Sequence, residues 1–171
     1  QLSNPVGITL DSSGNMYVSE IGNNRVQKLN SSGVYVNKWG SNGTGNGQFS
    51  SPNGIALDST GNIYVADTSN NRVQKFDSSG TYLNQWGGRD TTANGQFSGP
   101  SDITTDSTGN IYVVDTGNNR IQKFNSSGTY ITQWGSTGSG NGQFYAPRSI
   151  TADSSDNIYV VDYFRHLVQK F

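Results

Sequence analysis

Short runs of β-branched and aromatic residues alternate with turn-forming residues along the whole chain. In one representative segment, strand-like runs at Ile55–Leu57, Ile63–Ala66 and Arg72–Phe76 are separated by DSTGN, TSNN and DSSG, and a fourth run ends near Trp86. Runs of this length and composition predict β-strands, and no stretch has apolar residues at helical spacing over a useful length. The segment therefore predicts four consecutive antiparallel strands joined by short turns.

The same pattern occurs four times at a nearly constant interval. Four prolines lie 47, 48 and 47 residues apart, at Pro5, Pro52, Pro100 and Pro147. A fixed period in this range indicates a repeat architecture, in which one unit cannot bury its apolar faces alone. The units span 1–47, 48–95, 96–142 and 143–171, and the last one lacks the fourth strand of the others.

The predicted strands need cover on both faces. Ile63, Tyr64 and Val65 run together, and Val73 and Phe76 lie on opposite faces of their strand. A propeller provides this cover because each blade packs between two others, whereas an open solenoid of stacked sheets is the competing architecture. Four strands in 40–50 residues favour the propeller. The predicted fold class is all-β, a β-propeller of four-stranded antiparallel blades with about 47 residues per blade, three complete and a three-stranded fourth.

The repeated segments resemble the NHL-repeat family of β-propellers. The second copy reads PNGIALDSTGNIYVADTSNNRVQKFDSSGTYLNQWG, and the others begin PVGITLDSSGNMYVSE, PSDITTDSTGNIYVVD and PRSITADSSDNIYVVD. The resemblance covers essentially the whole chain and implies a propeller fold. Members of this family act as platforms that bind protein, RNA or ligands, and a few related propellers are metal-dependent lyases or lactonases. The fold by itself does not choose among these functions.

An acidic residue ends the second strand of every unit, and an arginine follows five residues later in the first three. Neighbouring strands of a hairpin place such side chains opposite each other, which predicts ion pairs that pin the turn. The predicted acid–arginine clamps are Glu20 with Arg25, Asp67 with Arg72, and Asp115 with Arg120. In the fourth unit Leu167 replaces the arginine, so Asp162 needs another partner, and Arg165 is the nearest candidate.

One loop departs from the repeat more than any other. It contains two aromatic residues, an arginine and the single histidine of the chain: Tyr163, Phe164, Arg165 and His166. Large aromatic side chains and arginine are common at binding hot spots, so we treat this segment as a candidate contact loop, for a protein more than for a small molecule. The competing interpretation is that the sequence of a terminal or interface blade has diverged from the repeat without acquiring a contact.

The last predicted strand has no strand to pair with its outer edge. This candidate assembly edge comprises Leu167, Val168, Gln169, Lys170 and Phe171. Unpaired N–H and C=O groups can accept another strand. We expect this edge, or the face of the first unit, to contact the rest of a longer propeller, another copy of the chain or a partner protein. A small closed ring of four blades is the remaining alternative.

The residue types give little support for catalysis. His166 is the only histidine and there is no cysteine, which excludes metal sites built on several histidines or thiolates within this chain. The DSSGN and DSTGN loops lack the closing glutamate of an EF-hand, and their aspartates are interpreted as turn formers. We expect no catalytic residue, metal or cofactor. The alternative is a fragment of a propeller enzyme, of the lyase or lactonase type, with its catalytic blades elsewhere.

The amino-acid composition argues against nucleic acid and membranes as partners. A net charge of −1, from 11 basic and 12 acidic residues, gives little support for the basic face that nucleic-acid binding would need. No apolar stretch approaches the ~20 residues of a membrane helix. The low charge, the surface rich in Asn, Ser, Thr and Gly, and the absence of an initiator Met favour an extracellular or cell-surface location. Three glycosylation sequons would be usable there, at Asn30, Asn42 and Asn125. The sequence thus predicts a non-catalytic scaffold that binds protein partners or other copies of itself.

Overall fold

A computed structural model describes residues 1–88 and 92–171 of the chain. In each of its sheets, strands that follow one another in sequence are antiparallel neighbours. The first blade contains β1 (Pro5–Leu10), β2 (Met16–Glu20), β3 (Arg25–Leu29) and β4 (Tyr35–Trp39). The second contains β5 (Pro52–Leu57), β6 (Ile63–Asp67), β7 (Arg72–Phe76) and β8 (Tyr82–Gly87).

The other two blades follow the same plan. The third contains β9 (Pro100–Thr105), β10 (Ile111–Asp115), β11 (Arg120–Phe124) and β12 (Tyr130–Trp134). The fourth has three strands, β13 (Pro147–Ala152), β14 (Ile158–Asp162) and β15 (Leu167–Lys170). The helical segments of the described residues are two single turns, Thr68–Asn70 and Thr116–Asn118, and neither is long or apolar enough to cross a membrane. The predicted all-β propeller fold is confirmed.

The blades are arranged as an arc with the first strand of each blade innermost. Strand β1 packs against β5, β5 against β9, and β9 against β13. Across the described residues, β13 and β1 do not form a packed pair of this kind. The arc therefore has two ends, each of which presents one face of a terminal blade.

Each contact between successive blades, here called a seam, buries the forward face of one blade against the backward face of the next. At the first seam, Tyr17 and Val26 of the first blade pack with Ile55, Val65 and Phe76 of the second. The partly buried tryptophans Trp39, Trp86 and Trp134 join the three seams at equivalent positions. The core is thus divided into three similar layers between blades, as expected for units that cannot bury both faces alone.

The aspartate that follows the first strand organises the next turn. The Asp58 carboxylate accepts hydrogen bonds from the backbone N–H groups of Thr60 and Asn62, both at 2.9 Å, and from the Tyr64 hydroxyl at 2.8 Å. Burial acts to raise the pKa of Asp58, but the hydrogen bonds outweigh it and the pKa is lowered. These contacts agree with the turn-forming role expected for the aspartates.

Candidate assembly site at the two ends of the arc

The backward face of the first blade is exposed although it is apolar. Ile8 and Leu10 on β1 are each 60% exposed, and Tyr35 on β4 is 53% exposed. The residue of the second blade that corresponds to Ile8 is Ile55, which is only 5% exposed because the first blade covers it. This end of the arc therefore exposes a face whose equivalent in the second blade is buried by a neighbouring blade.

The forward face of the fourth blade is exposed in the same way. Val168 on β15 is 60% exposed and Val161 on β14 is 40% exposed. Their counterparts in the third blade, Ile121 and Val114, are fully buried against the fourth blade. Val161 and Val168 also line a shallow cavity of about 270 Å³ together with His166.

The acid–arginine pairs lie within ion-pair distance in all three predicted places. Arg25 Nε is 2.6 Å from Glu20 Oε1, Arg72 Nε is 2.7 Å from Asp67 Oδ2, and Arg120 Nε is 2.6 Å from Asp115 Oδ2. All three acidic side chains are buried. The Arg72 guanidinium also donates to the backbone carbonyls of Thr44, Gly45 and Gln48 in the glycine-rich connection. These side chains join each connection to its blade.

In the fourth blade Arg165 supplies the guanidinium that Leu167 lacks. Its Nη1 atom lies 3.6 Å from Asp162 Oδ2 and donates to the Gln143 carbonyl at 3.1 Å, while Nη2 donates to the Ser139 carbonyl at 2.6 Å. The corresponding carbonyls in the second blade, at Gln48 and Thr44, are those bound by Arg72. Arg165 thus points back into its own blade.

The other members of the candidate contact loop face outward. Tyr163 and Phe164 meet edge to face at 5.1 Å between ring centroids, and Phe164 is 66% exposed. The Arg148 guanidinium lies 5.1 Å from the Tyr163 ring centroid. Sequence reasoning missed Arg148, although an arginine there differs from Ser101 at the preceding equivalent position. The structure therefore brings together the two aromatics and Arg148, and directs Arg165 away from them.

A hydrogen bond from a backbone N–H to an asparagine side chain crosses each seam, and we call it the latch. The Oδ1 atoms of Asn24, Asn71 and Asn119 accept the backbone N–H groups of Ser51, Gly99 and Ala146 at 2.8, 2.8 and 2.7 Å. All six residues have positive φ, between 49° and 56°. Sequence reasoning missed the latch because these asparagines look like ordinary turn residues; their recurrence after the second strand of each of the first three blades was the available signal.

The latch is incomplete at the ends of the arc. His166 occupies the position of Asn119, with φ of 54°, and Asn4 occupies the position of Ala146, with φ of 47°. Over the part of the chain that the structure describes, the Asn4 N–H has no acceptor and the His166 imidazole has no hydrogen-bond partner. Both ends therefore have the backbone conformation of a latch but not the bond.

The candidate assembly edge is open on its outer side. Strand β15 pairs with β14, and within the described residues no strand pairs with its other edge. Phe171 is 40% exposed and packs on Trp134 and Phe144, with centroid distances of 5.4 and 5.8 Å. The apolar end of this edge thus lies on the third seam, whereas Val168 faces solvent.

The three sequons lie at loops. Asn42 is exposed, in the connection between the first two blades. The Oδ1 atom of Asn30 accepts the N–H groups of Ser32 and Val34, and the Asn125 side chain makes the equivalent bonds. No grouping of three or more His, Cys, Asp or Glu side chains suited to a metal ion occurs among the described residues.

One partly buried acid stands apart from the repeat. Asp102 lies on the inner strand β9, where the first two blades have glycine, and its Oδ2 atom accepts Ser149 Oγ at 2.7 Å and Ile150 N at 2.9 Å. Burial raises the pKa of Asp102 in spite of these hydrogen bonds. Its contacts cross the third seam next to a groove of about 340 Å³ along the inner strands.

Comparison with known proteins agrees with this architecture. The sequence profile of the NHL repeat matches residues 49–76, 97–124 and 144–171. No curated protein sequence matches the chain. Solved structures that resemble it include a streptogramin B lyase, at 17% identity and a TM-score of 0.72, covering 99% of this chain and 54% of that one.

Two further structures are similar to the same extent. A virginiamycin B lyase from Staphylococcus aureus has 19% identity and a TM-score of 0.72 over 99% of this chain and 55% of that one. The Kuenenia stuttgartiensis hydrazine synthase has 13% identity and a TM-score of 0.70 over 100% and 50%. The chain spans about half the length of these structures, and likeness at such low identity shows the fold alone. The matched repeats and the four blades together show that this chain belongs to the NHL-repeat family of β-propellers.

Proposed function

We propose that this chain is a non-catalytic binding and assembly module whose two end faces each bind a further β-blade. The observation that carries the proposal is the contrast in exposure between equivalent residues. Ile8 and Val168 are each 60% exposed, whereas their counterparts Ile55 and Ile121 are 5% and 0% exposed beneath a neighbouring blade. Exposed apolar faces of this kind mark interaction surfaces.

The energetics favour coverage of these faces. Full burial of a Val, Leu or Ile side chain contributes about 1.5–3 kcal/mol, so several such residues together offset much of the cost of association. A β-blade suits both faces in shape, because three seams within the chain already have this geometry. The proposed ligand is therefore a folded sheet rather than a small molecule.

The charged groups support a structural role more than a catalytic one. The buried acids Glu20, Asp67 and Asp115 are each paired with an arginine of the same blade. The aspartates of the turns are engaged with backbone N–H groups and tyrosine hydroxyls. We also propose an extracellular or cell-surface location, with exposed Asn42 as the first sequon to examine for glycan.

Thiol labelling tests the proposal because the chain contains no cysteine. Single variants Ile8→Cys and Val168→Cys place a thiol on each end face, and Leu83→Cys, at a position 48% exposed on an outer strand, is the matched control. The variants are produced in the natural host, labelled in its unfractionated culture, which includes both the medium and the cell surface, and then purified. We expect the two end-face thiols to react at least tenfold more slowly than the control. Equal rates at all three positions would overturn the proposal.

A further inference from the structure

We infer that the groove along the inner strands binds a small organic acid, with its carboxylate held by Arg148 and its apolar part against Val6 and Ile21. The groove has a volume of about 340 Å³ and is lined by residues of all four blades. It is independent of both end faces, because the strands that build it, β1, β5, β9 and β13, pack successively against one another within the chain. Inner strands line the central channel of a propeller in rings of any size.

Two adjacent positions of each inner strand differ from blade to blade, and both line the groove. They stand between a proline and an isoleucine that occur in every blade, as in the run from Pro52 to Ile55. The proline begins the strand, and the isoleucines of the second, third and fourth blades pack in the seams. The four blades thus keep the structural positions alike and contribute different chemical groups to a single cavity. These groups are Val6 with Gly7, Asn53 with Gly54, Ser101 with Asp102, and Arg148 with Ser149.

Arg148 is the charged group of this groove that is available to a ligand. Its guanidinium lies 5.1 Å from the Tyr163 ring centroid, and among the residues that the structure describes it forms no ion pair and no hydrogen bond. Asp102 lines the same groove, but its Oδ2 atom is engaged across the third seam by Ser149 Oγ at 2.7 Å and the Ile150 N–H at 2.9 Å. An arginine with unoccupied N–H groups favours a carboxylate, which it can bind through two parallel hydrogen bonds.

The part of the groove at the first blade is apolar. Val6 and Ile21 line it, and Val6 is 48% exposed. The second and third blades have Thr68 and Thr116 at the position of Ile21, and each threonine donates from Oγ1 to a carbonyl of the next inner strand at 2.8 Å. Ile21 has no hydroxyl for such a bond, so its side chain adds only apolar surface. Apolar lining with a few polar groups is typical of small-molecule sites.

Asn53 lies between the apolar and the charged part of the groove, on β5. Over the part of the chain that the structure describes, its side-chain amide has no hydrogen-bond partner, so it can bind a polar group in the middle of a ligand. Ser101 Oγ, by contrast, is engaged, since it donates to the Arg148 carbonyl at 2.9 Å and accepts Thr116 Oγ1 at 2.7 Å. The order of apolar surface, amide and guanidinium therefore fits an organic acid with an apolar body.

Calorimetric titration of the purified chain with small carboxylic acids tests the inference. The probes are phenylpropanoate and hexanoate, each compared with its uncharged amide and with inorganic phosphate, which has charge but no apolar part. We expect saturable binding of at least one acid, one molecule per chain, at least tenfold tighter than its amide and than phosphate. Absence of saturable binding by both acids, or equal binding of acid and amide, would overturn the inference. Preference for phosphate would indicate an adventitious anion contact and would overturn it as well.

Substitutions locate the bound acid. Arg148→Ala should weaken acid binding at least tenfold and leave amide binding unchanged, whereas Lys38→Ala, which removes an exposed positive charge on the outer strand β4, should change neither. Val6→Ser should weaken the acid and its amide to the same degree, because it removes apolar contact and no charge. Circular dichroism checks that each variant is folded. An acid that binds Arg148→Ala as tightly as the unaltered chain would contradict the proposed site.

Backbone amide signals in NMR spectra give an independent readout. A saturating acid should shift the signals of Gly7, Gly54 and Ser149, which line the groove. It should leave unchanged those of Gly33 and Gly80, which lie in turns between the third and fourth strands of their blades. Shifts centred on these turns, or spread evenly over the chain, would place the acid elsewhere and overturn the inference.

Discussion

Arg165 Nη1 lies 3.6 Å from Asp162 Oδ2, although in the other blades the arginine comes two residues later in the repeat. The guanidinium nevertheless binds the Gln143 carbonyl, the counterpart of the Gln48 carbonyl bound by Arg72. What the fold maintains is therefore the position of the guanidinium rather than its place in the sequence. Tyr163, Phe164 and His166 of the same loop stay exposed.

Removal of the arginine from an acid–arginine clamp should lower the free energy of unfolding strongly. Arg120→Ala leaves Asp115 buried without its partner, and we expect a loss of about 3–5 kcal/mol in the free energy of unfolding. Urea denaturation measures this loss. Arg148→Ala, at an exposed arginine outside the clamps, is the control and should have little effect on stability. A loss below about 1 kcal/mol for Arg120→Ala would contradict the clamp role.

The displaced arginine of the fourth blade predicts that a second substitution can restore stability lost through the first. Arg165→Asn should destabilise the chain because the Gln143 and Ser139 carbonyls lose their donor. Adding Leu167→Arg to the same chain restores the sequence pattern of the other blades and should recover most of the lost stability. Comparison of the single and double variants by thermal unfolding checks this. A double variant no more stable than Arg165→Asn alone would show that the two positions are not interchangeable.

The latch should contribute to stability through its acceptor atom. Asn119→Gly tolerates the positive φ but removes Oδ1, and we expect a loss of about 1–3 kcal/mol because the Ala146 N–H then lacks its partner. Asn119→Asp keeps the acceptor and should lose less. Chemical denaturation of both variants distinguishes backbone strain from the hydrogen bond. Equal losses in the two variants would count against the latch.

Trp86 should be important for the second seam. Its ring lies 5.7 Å from Phe124 of the next blade and 6.1 Å from Tyr64 of its own. Trp86→Ala removes both contacts, and we expect a loss of about 3–5 kcal/mol, whereas Trp86→Phe should retain part of the packing. Denaturation midpoints of the two variants check this. A loss under about 1 kcal/mol for Trp86→Ala would show that the ring behaves as a surface residue.

The turn aspartates predict acid sensitivity. Burial opposes ionisation of Asp106, but hydrogen bonds led by those of Asn110 and Thr108 lower its pKa to about 2. Because this folded-state pKa lies below the unfolded value of about 3.9, the stabilisation is present above pH 4 and is lost as the pH falls towards 2. Asp102 acts in the opposite direction, since burial raises its pKa and protonation then favours the folded state.

Denaturation measured between pH 7 and pH 2 tests this dependence. Stability should fall below pH 4 because carboxyls with a lowered pKa outnumber Asp102 among the residues that the structure describes. Asp106→Asn should be less stable than the unaltered chain at pH 7 and should lose less stability between pH 4 and pH 2. An unchanged dependence on pH in this variant would rule out Asp106 as a contributor.

The repeat pattern predicted the strands well because β-branched and aromatic runs mark them directly. The first strand of the second blade begins earlier than expected, at Pro52 rather than Ile55, because proline can start a strand without the N–H it lacks. The latch of Asn119 and the cross-seam bonds of Asp102 were not predictable in this way. They depend on which faces of two blades meet, and a sequence shows the order of the strands but not the contact between sheets.

The similarity of the seams has a consequence for how a gene of this kind can change. Each seam combines an apolar layer with an asparagine that accepts a backbone N–H of the next blade. Unequal recombination between two repeats would delete or duplicate a whole blade and still leave every remaining seam with both features. Blade number can therefore change by one in a single genetic event without passing through a chain that has lost its core. Natural selection would then act mainly on whether the altered arc still closes.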